Sequence, residues 1–77
     1  MNYDLAMMAL EGLARAPLAL RQENGEIVLE ADAASFKELA RLCLLLGGTQ
    51  GGNEEFALTP GVHVERDALG LRLKLKS

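Results

Sequence analysis

Few side chains in this chain could act as nucleophiles or metal ligands, because its 77 residues include one histidine and one cysteine. A structural zinc site takes four Cys or His ligands, more than the chain contains. Cys43 lies among the leucines of a predicted helix, which favours a buried and unreactive thiol. His63 lies beside Glu65, Arg66 and Asp67, as a solvated loop histidine would. The sequence therefore predicts no catalytic residue, no metal site, no cofactor and no small-molecule substrate.

Four glycines lie within residues 47–52, and a glycine-rich loop of this kind can bind phosphate. A phosphate loop runs from a strand into a helix, whose N-terminal amides meet the anion, and its P-loop form carries a lysine. Here the glycines follow a predicted helix, whose C-terminal dipole repels anions, and Glu54 and Glu55 come next. The sequence therefore predicts a turn, in which Gly47 takes the left-handed conformation that ends a helix.

The charged residues argue against nucleic acid as a partner. The net charge is −3, whereas general nucleic-acid binding needs a basic footprint. Arg72, Lys74 and Lys76 form a basic row along one face of the last predicted strand. Such a row is more typical of a solubilising face or an edge guard than of an anion site.

Three features of the sequence predict a cytoplasmic protein without a membrane partner. Its apolar runs are shorter than the roughly 18 residues of a membrane span. Residues 1–17 contain Asp4 and Glu11 and lack a basic start, unlike a secretory signal. A single cysteine cannot form a disulfide within the chain, which suits a reducing compartment.

Two elements are predicted in the first part of the chain. Residues 2–16 form a helix, which Asn2 caps and Pro17 stops. Residues 18–31 form a hairpin around a type I′ turn at Asn24-Gly25, a register that places Leu20 opposite Leu29. The predicted inward stripe of the helix consists of Tyr3, Met7, Leu10 and Ala14, widened by Ala6 and Leu13.

The second part of the chain is predicted to add a helix and two strands. The helix covers residues 33–46 and is capped by Asp32, or by a Ser35–Glu38 capping box one turn later. Strands cover residues 55–59 and 69–75, and Pro60-Gly61 ends the first of them. The inward stripe of the helix consists of Phe36, Leu39, Ala40, Cys43 and Leu46.

These elements predict a single domain of 77 residues with an α+β fold. An antiparallel sheet of about four strands carries two helices on one face, in the order α-β-β-α-β-β. The predicted core consists of Leu20, Ile27, Leu29, Phe36, Leu39, Cys43, Phe56, Leu58, Leu71 and Leu73.

The end of the second helix is apolar almost all round. Leu44 and Leu45 occupy positions where the face that begins with Lys37 and Arg41 should be polar, and Leu42 completes the ring. Such a helix end is covered by the first helix or presents a contact surface. Because a small domain gains core by dimerising, the sequence predicts a homodimer in which the two helices of each chain meet. The predicted interface consists of Met7, Met8, Leu42, Leu44 and Leu45.

Residues 26–75 resemble one of the small immunity-protein families of bacterial polymorphic-toxin systems, the one numbered thirty-two. The resemblance rests on the strand at residues 26–30, Asp32 with the helix at 36–46, a glycine-bearing loop, the segment 56–60 and the terminal segment 69–73. It implies a non-enzymatic protein that neutralises a toxin by binding it. A self-associating structural or regulatory module is the alternative function, and an enzyme ranks below both.

Overall fold

The computed structural model describes residues 1–49 and 54–76 and shows an α+β fold of two helices and two antiparallel two-stranded sheets. The predicted α+β class is confirmed, whereas the single sheet of about four strands is wrong. In chain order the elements are α1 (Tyr3–Arg15), β1 (Ala19–Glu23), β2 (Glu26–Glu30), α2 (Ala33–Gly47), β3 (Glu55–Leu58) and β4 (Leu71–Lys74).

The two helices begin at the capping residues that the sequence indicates. The Asn2 side chain accepts a hydrogen bond from the Leu5 N–H at 3.1 Å, and Asp32 Oδ1 accepts one from the Ser35 N–H at 2.7 Å. The alternative capping box at Ser35 is wrong, because its hydroxyl donates to the Ala16 carbonyl at 2.6 Å. This bond satisfies a carbonyl at the end of α1 and ties the start of α2 to it.

The Asp32 cap should make stability fall in acid. The Ser35 N–H holds the pKa of the Asp32 carboxyl below its ordinary value of 3.8. The Asp32 carboxyl binds its proton less tightly in the folded state than in the unfolded state. The cap's contribution to the free energy of unfolding is therefore complete above pH 3.8, and it is lost as the pH falls through the lower pKa of the folded state. Asp32→Asn keeps an acceptor but does not titrate, so the difference in melting temperature between the two proteins should shrink over this range. A difference that stays constant with pH would contradict this role.

The hairpin of β1 and β2 has the predicted turn and register. Asn24 and Gly25 have φ angles of 51° and 80°, as a type I′ turn requires, and Leu20 pairs with Leu29. Ile27, expected in the core, is instead 61% exposed, because it lies near the turn on a part of the hairpin that the core does not reach.

The connection between β3 and β4 explains why the strands do not form one sheet. At Pro60 the chain loses a backbone donor and folds back, so that the Thr59 carbonyl accepts from the N–H groups of Val62, His63 and Val64. Val64, fully buried, then lies beside Leu18 and forms a parallel bridge with it. This segment bonds to both backbone groups of Leu18, the residue before β1, and so lies where a third strand of a continuous sheet would have to begin pairing.

The strands that flank this connection follow the predicted alternation. Phe56 and Leu58 are buried on β3, and Leu58 pairs with Leu71 on β4. β4 begins two residues later than predicted, and Leu69 is 50% exposed outside it. Leu71, Leu73 and Leu75 are half-buried against the core.

Helix α2 is rotated relative to the predicted orientation. Its buried residues are Ser35, Leu42 and Leu46, whereas Phe36 is 41% exposed and Cys43 is exposed. The buried stripe lies roughly 70° from the predicted one, at about 100° per residue. It turns toward α1 because Ser35 bonds to the end of α1. The predicted core positions Phe36 and Cys43, and the predicted stripe position Ala40, are therefore wrong.

Helix α1 supplies more of the core than the sequence suggests. Its buried residues are Ala6, Ala9 and Leu13, while Tyr3 and Met7 of the predicted stripe are 59% and 56% exposed. Small side chains on the buried stripe let α2 pack close to α1. The buried core consists of Ala6, Ala9, Leu13, Leu18, Leu20, Leu42, Leu46, Phe56, Leu58 and Val64.

The end of α2 differs from the predicted cap. The helix includes Gly47, and its capping residue Gly48 has φ −87° and ψ −5°, which is a right-handed conformation. The Thr49 hydroxyl donates to the Leu45 carbonyl at 3.0 Å and satisfies part of this helix end. The left-handed cap at Gly47 is therefore wrong. The glycines at positions 51 and 52, which complete the predicted turn, lie outside the described residues.

Candidate protein-contact surface

The reactive side chains of the described residues are dispersed. His63 Nδ1 accepts a hydrogen bond from the Thr59 N–H at 3.2 Å, so this histidine braces the fold-back after β3 rather than facing solvent freely. Cys43 is exposed rather than buried. Within residues 1–49 and 54–76, no group of three His, Cys, Asp or Glu side chains is arranged to hold a metal ion.

The charged side chains of the hairpin form a polar outer face. Arg21 pairs with Glu23 and with Glu30, the latter at 3.0 Å, and both carboxylates raise the pKa of the guanidinium. All three side chains are largely exposed, so the pairs contribute little to stability. This face is mainly charged and solvated, with half-buried Val28 opposite Arg21.

Tyr3 joins the start of α1 to the residue before β3. Its hydroxyl donates to Glu54 Oε1 at 2.8 Å, and this bond to a carboxylate raises the pKa of the phenol. The phenol is protonated around neutral pH, as an unperturbed tyrosine also is, so Tyr3 acts there as a donor. Its ring remains largely exposed.

A groove runs between the two antiparallel helices. Its α1 side carries Leu5, Met8 and Ala9, and its charged rim includes the ion pair of Glu38 with Arg41. Near the other end, the space beside Gly12 is filled by Glu38, so a side chain at position 12 would collide with it. The groove is therefore polar toward the end of α1 and apolar toward its start.

Exposed apolar side chains lie on α1 along this groove and on α2 beyond its charged rim. Leu44 and Leu45 follow Arg41, which lines the groove, by about one turn of α2. Leu44 is 77% exposed, Met8 62% and Leu5 48%, while Leu45 is half-buried. We name these four residues the helix-end surface. An apolar surface of this kind, bordered by charges, is typical of a protein contact site.

The predicted interface residues fall into three groups. Met8 and Leu44 are exposed on the helix-end surface, and half-buried Leu45 packs against the core beneath it. Met7 is exposed, but about 100° around the helix from Met8, on the flank that faces away from the groove. Leu42 has no exposed surface, so its assignment to an interface is wrong. The rotation of α2 toward α1 buries it.

Sequence reasoning missed one residue of this surface, Leu5. It precedes Met8 by three positions, a spacing that places both side chains on one side of a helix. That spacing is the signal that could have identified Leu5. The predicted inward stripe instead ran through Tyr3 and Met7, on the other flank of α1.

The sequence and the fold were compared with those of known proteins. No protein-family model, curated protein or solved structure matches the sequence or fold. Over residues 1–49 and 54–76, the helices are too short or too polar to cross a membrane.

Proposed function

We propose that this chain is a small, non-enzymatic protein-binding module that contacts its partner through the helix-end surface. The exposure of Leu44, 77%, is the observation that carries the proposal. A partner that covers this side chain would remove its apolar surface from water. Met8, 62% exposed on α1, has a flexible thioether side chain, which adapts to the shape of a partner.

The partner in this proposal is a bacterial toxin, which the chain neutralises by binding in the cytoplasm. The resemblance of residues 26–75 to an immunity-protein family supports this choice. Binding alone is enough for such a function, because a bound protein can block the toxin's active site or its substrate. Exposed leucine and methionine side chains suit this task better than the dispersed reactive groups do.

Co-expression with a candidate toxin, chosen from the genes that flank the one for this chain, tests the proposal. Cells that produce both proteins should grow, and Leu44→Lys should abolish protection because it places a charge at the centre of the contact. Leu69→Lys is the matched control, since Leu69 is an exposed leucine outside the helix-end surface. If Leu44→Lys protects as well as the parent, or if both variants fail equally, the assignment of this surface is wrong.

Self-association is the second candidate function, and the extent of the surface favours it. The accessible area is 5308 Å², whereas a monomer of this mass, 8.3 kDa, is expected to expose about 4,600 Å². The radius of gyration, 12.5 Å, also exceeds the roughly 11.5 Å of a compact chain of this length. A chain that is this open gains stability when a second copy covers part of it.

A further inference from the structure

We propose that two copies of this chain pair through α1 alone, antiparallel, along a second apolar stripe that is largely exposed in the single chain. The stripe consists of Tyr3, Met7, Leu10 and Ala14, at steps of four, three and four residues. This is the spacing by which one helix packs along another in a coiled coil. We name these four residues the α1 seam. The pairing leaves the helix-end surface free for a different protein.

The α1 seam is distinct from the side of α1 that packs inside the chain. Ala6, Ala9 and Leu13 form the buried stripe. On the seam, by contrast, Tyr3 is 59% exposed, Met7 is 56% exposed and Ala14 is exposed. Leu10 is half-buried and contacts the core from between the two stripes. One helix therefore carries two apolar stripes, of which only one is covered by its own chain.

The shapes of the side chains fit an antiparallel pair. A two-fold axis midway along the seam places Tyr3 of one copy opposite Ala14 of the other, and Met7 opposite Leu10. A large ring then meets a small methyl group at both ends, so the helix axes can stay close along the whole seam. The Tyr3 hydroxyl keeps its bond to Glu54 at the edge, and its ring supplies the contact area.

The charged residues beside the seam also favour an antiparallel arrangement of the two α1 helices. Asp4 and Arg15 are exposed on one flank of the seam, at opposite ends of α1. An antiparallel pair brings Asp4 of one copy toward Arg15 of the other. A parallel pair would instead put the flank with Asp4 and Arg15 on opposite sides of the interface in the two copies, so that these charges would not meet, and would align the two helix dipoles unfavourably.

The exposed area of the chain leaves room for a second copy. The accessible area exceeds that of a compact monomer of this mass by about 700 Å². A standard interface removes about 800 Å² from each partner, so one interface of ordinary size is of the same order as this excess.

Sedimentation equilibrium of the parent with Met7→Lys and Met8→Lys tests the pairing. These two methionines are adjacent, similarly exposed and on different sides of α1. At tens of micromolar the parent should sediment as a dimer. Met7→Lys should raise the dissociation constant about 30-fold or more, the loss typical of a central contact residue. Met8→Lys should leave the constant unchanged. Ala14→Glu, which faces Tyr3 of the second copy, should act as Met7→Lys does.

Three results would overturn the pairing. The parent could sediment as a monomer, or the Met7→Lys variant could dimerise as tightly as the parent. In the third result, the Met8→Lys variant is monomeric while the Met7→Lys variant still forms the dimer. The last would move the contact between copies to the helix-end surface. Toxin neutralisation is measured separately with Leu44→Lys, so failure of the pairing and failure of the proposed function are distinguishable. Thermal unfolding of each variant shows whether it remains folded.

Discussion

Replacing Leu42 with alanine is expected to lower the free energy of unfolding by about 2–5 kcal/mol. The side chain has no exposed surface and lies on the buried stripe of α2 between the two helices and the strands. Since a core of this size supplies only about 3–5 kcal/mol in all, the loss is comparable with the whole stability of the domain, and the variant should be partly unfolded at room temperature. Chemical denaturation followed by circular dichroism measures the change.

Leu44→Ala is the matched control for this prediction. Leu44 lies two residues along the same helix and is 77% exposed, so its truncation should change stability by no more than about 0.5 kcal/mol. Phe36→Ala should also cost less than Leu42→Ala, although the sequence alone ranks Phe36 as a core residue. Equal losses for Leu42 and Leu44 would show that the orientation of α2 is wrong.

Replacing Val64 with aspartate is expected to prevent folding. Val64 is fully buried beside Leu18, so the new carboxylate would lie in the core without a partner. Such a group costs more than about 4 kcal/mol, which is as much as this domain has. The far-ultraviolet circular dichroism spectrum and the loss of a cooperative thermal transition report the result.

Val62→Asp provides the comparison, since Val62 lies on the same fold-back and is 44% exposed. It should remain folded, with a melting temperature close to that of the parent. A folded Val64→Asp variant would mean that this segment does not enter the core. The explanation for two sheets instead of one would then fail as well.

Local features of the fold could be predicted from the sequence because few residues decide them. Asn2 and Asp32 cap their helices through side-chain oxygens that reach the next turn. Asn24-Gly25 sets the register of the hairpin through the turn conformation alone. Alternation in β3 places Phe56 inward without reference to the rest of the chain.

The orientation of both helices could not be predicted in this way. Each helix carries more apolar residues than one stripe needs, so the sequence allows several inward faces. Ala6 and Ala9 have little hydrophobic surface of their own, but they permit the close approach that the larger Tyr3 and Met7 would prevent. Packing between the two helices determines which face of each one is buried. The pattern of residues within one helix does not show how the other helix packs against it.

The separation of the strands into two sheets and the burial of Leu42 also depend on packing between elements, which the pattern within one element does not show. Val64 enters the core from a polar segment, which periodicity assigns to the solvent. Leu42 and Leu44 belong to the same unbroken apolar run, so the run alone does not show which of them is buried. The exposed end of α2 was nevertheless detectable, since Leu44 follows the polar positions Lys37 and Arg41 on one face.

Site-specific photo-cross-linking at position 44 tests the central claim, that the helix-end surface binds another protein. A photoreactive amino acid replaces Leu44 in cells that naturally produce the chain, and the same amino acid replaces Leu69 in a parallel culture. Irradiation should link position 44 to a protein other than a second copy of this chain, and position 69 should give no such product. The same products from both positions, or no heterologous product at position 44, would contradict the proposed function.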